Sequence, residues 1–116
     1  VLKDGLEATV GDLLECDGLA IGTPDYFSYM AGGVKDFFDR TYYPTKGKVE
    51  GKPCIIFVTH GGGGDAVNSV QDIAESFKFD EISEPVLIRG EPGQKDEQKL
   101  LNAGKDLAEA CKRQTN

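Results

Sequence analysis

Short apolar runs alternate with stretches of helical spacing along this chain. Gly18, Leu19, Ala20, Ile21 and Gly22 read as a short strand, apolar throughout as expected where helices cover both faces of a sheet. Gly22-Thr23-Pro24 is a turn signal that closes it. Ahead of it, Thr9 is placed to cap a short helix through Glu15, with Asp12 in the first turn. Residues 1–8 read as a loop or as the tail of a strand. Over 30–42 the spacing predicts a helix: Ala31, Val34, Phe37, Phe38 and Tyr42 share one face, and Pro44 ends it. The clearest strand covers 53–59. Its β-branched and aromatic run is continuous rather than alternating, which places it centrally. Asp65 then serves as N-cap of a helix that presents Val67, Val70, Ile73, Ala74 and Phe77 on one face. A third strand covers 85–89, and a turn fills 90–94. The longest helix spans 95–113, with Leu100, Leu101, Gly104, Leu107, Ala108 and Cys111 facing inward.

The order β-α-β-α-β-α predicts a three-layer α/β/α open parallel sheet, in one domain spanning 1–116. Ligands of such sheets bind beyond the carboxyl ends of the strands, which singles out the loops at 22–30 and 59–65. The first packs Tyr26, Phe27, Tyr29 and Met30 together just before a helix. Such rings offer flat surfaces to a planar ligand; their other use is to seat the loop on the core. The second loop reads Thr59, His60, Gly61, Gly62, Gly63, Gly64, Asp65. Four consecutive glycines cost conformational entropy, and their use is close backbone approach to a ligand. A phosphate cradle is disfavoured, because no lysine follows the glycines and Asp65 competes for the backbone N–H groups. A neutral, planar, acceptor-rich ring is the better guest; a flexible connection is the alternative. His60 is the single histidine and lies at a strand end, suited to donate a hydrogen bond to a ring oxygen or to serve a structural role.

Composition narrows the partners. Thirteen basic residues against twenty acidic ones give a net charge of −7, with no cluster of lysines and arginines, so nucleic acid is not expected as a partner. The absence of an apolar run of about 18 residues and of a signal-peptide pattern argues against a membrane partner and for the cytoplasm. Cys16, Cys54 and Cys111 are widely spaced with no CxxC pair, so no metal site is expected and reduced thiols are.

The stretch DGLAIGTPDYFSYMAGGVKDFFDRTYY, followed by GKPCIIFVTHGGGGDA, resembles the flavodoxin-like superfamily. The resemblance is to flavoproteins of the NAD(P)H:quinone oxidoreductase and NADPH-dependent FMN reductase type. It implies FMN as cofactor, with Pro24, Asp25, Tyr26 and Phe27 lining the isoalloxazine ring from one side. Thr59, His60, Gly61, Gly62, Gly63 and Gly64 would approach it from the other. It also implies an FMN-dependent oxidoreductase or electron-transfer domain, with NAD(P)H or a quinone as reaction partner. Asp25 and Tyr26 stand where quinone-reductase members often carry Thr and Arg, and His60-Gly61 replaces a small hydroxyl residue. The family pattern begins with a strand, a phosphate-gripping loop and a first helix that these residues do not show, so the domain reads as N-terminally truncated. That leaves an exposed strand edge beside residues 19–21 and implies a homo-oligomer. The alternative is a truncated module that no longer binds flavin and acts as a subunit or interaction protein.

Overall fold

The continuous apolar run in the middle of the sequence is also the middle of the sheet. In the computed structural model, which describes residues 1–115, β1 (Leu19–Tyr26) and β3 (Pro53–His60) run parallel. Their register runs from Leu19 opposite Cys54 to Pro24 opposite Thr59. β2 (Tyr29–Met30) folds back antiparallel on the end of β1. On its other side β3 is paired in parallel by two short strands, β4 (Asp80–Glu81) near its start and β5 (Val86–Arg89) near its end. Among the described residues there are four helices: α1 (Val10–Glu15), α2 (Gly32–Thr45), α3 (Ala66–Phe77) and α4 (Gln94–Thr115). Residue 116 of the expected 1–116 domain lies outside the described residues.

Successive strand residues point to opposite faces, so the central strand feeds two cores. On one face Ile21, Cys54, Ile56 and Val58 bury against Leu13 of α1, Phe38 of α2 and Val70, Ala74 and Phe77 of α3. On the other, Ile55, Val86 and Ile88 meet Ala103 of α4, with Leu100 and Leu107 packed alongside. The result is the expected three-layer α/β/α arrangement, mostly parallel, with β2 as the antiparallel exception.

Several boundaries differ from the sequence expectation. Of the two readings of residues 1–8, the loop holds, with a turn at 5–7: Asp4 O accepts from the Glu7 and Ala8 N–H groups, and the Arg40 guanidinium donates to the carbonyls of Gly5 and Ala8. Thr9 caps α1 as expected, in a capping box with Asp12. β1 continues through the turn signal to Tyr26, because β2 returns to pair with it; Met30 therefore belongs to a strand and not to a helix. Pro44 sits inside the last turn of α2, which runs on to Thr45, instead of ending the helix. The Thr41 and Thr45 hydroxyls donate to carbonyls one turn back and help carry the helix past it. Asp65 occupies the N-cap position of α3, yet its backbone is already helical and its side chain makes no capping bond. Over residues 94–113 of α4 the buried positions are Ala103 and Ala110, while Leu101 is 60% exposed and Ala108 is exposed, so the inward face is rotated from the expected one.

Among the described residues, the second edge of β1 is paired only by β2, at Asp25 and Tyr26. Residues 19–24 have no strand partner along that edge. No helix among the described residues is long and apolar enough to cross a membrane.

Cys54 is fully buried, and burial, followed by the charges of Glu81 and Asp80, pushes its thiol up to about 12. The folded chain therefore keeps this proton to higher pH than the unfolded one. The stability it contributes is complete below the ordinary thiol value of 9.0 and is lost as pH rises from there toward about 12. Replacing Cys54 by Ala should flatten that alkaline loss, read as a smaller fall in urea midpoint between pH 9.0 and the midpoint of this range. An equal fall in both proteins would contradict the assignment.

Candidate functional site at the strand ends

The carboxyl ends of β1 and β3 are level, because Pro24 lies opposite Thr59. As parallel partners, these two residues present side chains to the same face; Thr59 is exposed and Pro24 is half-buried. Beyond them the chain leaves in two directions, into the β1–β2 hairpin and into the glycine loop. Gly90 N–H donates to His60 O at 2.9 Å, which draws the end of β5 to the same rim.

The hairpin turn has Phe27 and Ser28 as its two central residues, both left-handed, at φ 55° and 63°. That is the pattern of a type I′ turn, usually built from Asn and Gly. For residues with a Cβ it costs on the order of 1–2 kcal/mol each. Three polar ties hold it. Asp25 Oδ1 accepts the Ser28 N–H at 2.8 Å. The Thr23 hydroxyl, buried at the base, accepts the Ala31 N–H at 2.8 Å. Met30 N–H donates to Ser69 Oγ on α3 at 3.1 Å, while that hydroxyl itself donates to Ala66 O. The tip projects outward: Tyr26 is 58% exposed, and Phe27 is fully exposed.

In the second loop the four glycines divide into two kinds. Gly63 and Gly64 are left-handed, at φ 100° and 73°. Gly64 is also buried, and a Cβ there would stand 3.1 Å from the His60 ring. Gly61 and Gly62 face open space, with nothing within 4 Å of an added Cβ. Their backbone is therefore free to be approached closely. His60 packs its ring against Gly64, and its Nδ1 is buried without a hydrogen-bond partner.

The two loops are joined by one carboxylate. Asp25 Oδ2 accepts the N–H of Ala66, the first residue of α3, at 3.3 Å. The helix start expected to be capped by Asp65 is thus met from the hairpin. Of the ten predicted positions, Pro24 and Thr59 are paired neighbours, Tyr26 and Phe27 stand out on the hairpin, and His60 and the four glycines follow Thr59 on the other strand. Asp25 reaches across between them. The sequence reading passed over Ser69 and Thr23. The Asp25-to-Ser28 bond has a local signature, an Asp ahead of a turn, but the reach to Ala66 has none. Two surface hollows flank the fold, one of about 490 Å³ between α2 and α3 with Tyr29 of the hairpin in its lining, and one of about 330 Å³ at the β4–β5 connection. Among the described residues no group of His, Cys, Asp and Glu is placed to hold a metal.

The two kinds of glycine predict two outcomes. Gly64→Ala, strained in φ and pressed on His60, should cost about 1–2 kcal/mol of unfolding free energy in urea titration. Gly62→Ala should stay within about 0.5 kcal/mol. Equal losses would refute this division of the loop.

A family model described as NADPH-dependent FMN reductase matches residues 1–91. Among curated proteins the chain is similar to a flavodoxin of Aquifex aeolicus (strain VF5), 38% identical over 63 residues, covering 54% of this chain and 34% of that protein. It is similar to an NAD(P)H dehydrogenase (quinone) of Paracoccus denitrificans (strain Pd 1222), 29% identical over 89 residues, covering 72% and 43%. The matched part thus spans less than half the length of either relative. Among solved structures it is similar to a flavodoxin from the domain Archaea, with a TM-score of 0.79 and 25% identity, covering 93% of this chain and 74% of that one. The sheet order, the strand-end loops and the match over most of its length agree: this chain belongs to the NADPH-dependent FMN reductase family, within the flavodoxin-like superfamily.

Proposed function

We propose that this chain binds FMN, with the isoalloxazine ring between loops 22–30 and 59–65, and works as a flavin-dependent oxidoreductase or electron-transfer domain exchanging electrons with NAD(P)H or a quinone. The observation that carries this reading is the rim itself: exposed rings on one loop, accessible backbone over Gly61 and Gly62 on the other, held at one level by the β1–β3 register. These features fit the ring end of the cofactor better than its phosphate. The Ala66 N–H at the start of α3 is engaged by Asp25, and Asp65 stands exposed beside the loop, so an anion would meet negative charge there. When bound, FMN supplies the redox chemistry through its ring. The chain's own part is to bind and orient it. Tyr26 and Phe27 offer apolar faces, Pro24 and Thr59 flank the rim, and the N–H groups of Gly61 and Gly62 are available to ring acceptors. His60 supports the loop through Gly64.

Titration of FMN with the protein should quench flavin fluorescence, and Phe27→Ala should weaken binding about three- to tenfold. Steady-state oxidation of NAD(P)H with a quinone tests the enzyme reading separately. A protein that leaves flavin fluorescence unchanged refutes the cofactor assignment.

The open edge of β1 at residues 19–24 supports a further proposal, association with a second copy through that edge. It also favours the second reading, a module that works as a subunit or interaction protein without flavin. Light scattering at micromolar concentration should give a mass above that of one chain. Association without FMN quenching would favour the module, and a strictly monomeric mass would remove the edge as its interface.

A further inference from the structure

We propose that Asp25 is a positioning residue, whose carboxylate braces the aromatic hairpin tip against the glycine loop so that the two walls of the ring site form one preformed jaw. This rests on the reading of the site as a ring site. Phe27 is a bulky residue in the left-handed region with its ring wholly in solvent. Such a conformation persists only where the surroundings over-determine it. Asp25 supplies that determination from within the turn, through the 2.8 Å bond from Ser28 N–H to Oδ1. The same carboxylate accepts from Ala66 N–H through Oδ2, 41 positions away and directly after the glycine loop. One side chain therefore fixes the tip of one wall and the end of the other. Ser69 adds a parallel tie from Met30 to the same first turn of α3, so the hairpin cannot swing away from the helix start without breaking both. A planar ligand entering such a jaw bears less of the cost of ordering the hairpin tip and the end of the glycine loop. Asp25 thus acts on ring affinity through the two loops, with its own oxygens turned to backbone N–H groups.

Amide hydrogen exchange on the full chain, without ligand, tests the brace directly. Asp25→Ala should speed exchange at both Ser28 and Ala66 by about tenfold while leaving Ile56 in the central strand unchanged. Asp25→Asn keeps an oxygen for Ser28 but sets an NH2 group against the Ala66 N–H. It should preserve protection at Ser28 and lose it at Ala66, a split that general loosening of the fold would not produce. In fluorescence titration with FMN, Asp25→Ala should bind about tenfold more weakly and Asp25→Asn should fall between it and the parent. Unchanged exchange at Ser28 and Ala66 in Asp25→Ala overturns the brace. Faster exchange with unchanged FMN affinity overturns the positioning role. If the parent itself fails to quench FMN, the ring-site reading fails and the positioning role with it, while the exchange pattern still decides whether the brace exists.

Discussion

The parallel register of β1 on β3 is the constraint from which the rest follows. It is fixed by burial: Ile21 and Ile56 are locked into one core, while Ile55 and its neighbours enter the other. A slip of one residue would turn every one of these side chains to the wrong face. Because the register is held, Pro24 and Thr59 finish level, and the hairpin and the glycine loop leave the sheet side by side. Neither loop contains the information that makes them neighbours. The hydrophobic pattern of the two strands contains it.

What happens beyond the strand ends is decided by a few polar groups. Thr23, Asp25 and Ser69 each accept a backbone N–H that the sheet and helix ladders leave over. Each such bond contributes on the order of 1 kcal/mol net, and leaving a buried partner unmet costs more. Together they are comparable to the strain of two left-handed residues with side chains, which explains how Phe27 and Ser28 stay in a turn that glycine would adopt freely. The hairpin is therefore tied at its tip, at its base and to the start of α3.

Charge sharpens the picture. Acidic residues exceed basic ones across the chain, and Asp25 and Asp65 add two carboxylates beside the two loops. Membership of the NADPH-dependent FMN reductase family and the flavodoxin-like sheet agree with a flavin ring as guest. Among the described residues, the outer edge of β1 is met only by β2, at Asp25 and Tyr26.

Much of this was legible in the residues. The apolar run at 53–59 named the central strand, Thr9 and Asp12 named the start of α1, and Gly22-Thr23-Pro24 with the four glycines named the two loops. Those features are local: periodicity, capping and turn chemistry act within a few positions. The rest was set by tertiary structure. Whether Met30 joined a helix or a strand depended on β1 being there to pair with it. Whether Leu101 or Ala103 faced the sheet depended on how α4 lies across Ile55, Val86 and Ile88. The start of α3 was met by Asp25, not by the adjacent Asp65, because the backbone of Asp65 is already helical and its side chain makes no capping bond, while Asp25 Oδ2 lies 3.3 Å from the Ala66 nitrogen. Sequence determines which segments can be strands, helices and turns, since those choices are local. Only the packed fold decides which polar group meets which backbone N–H, because that is a matter of proximity across the whole chain.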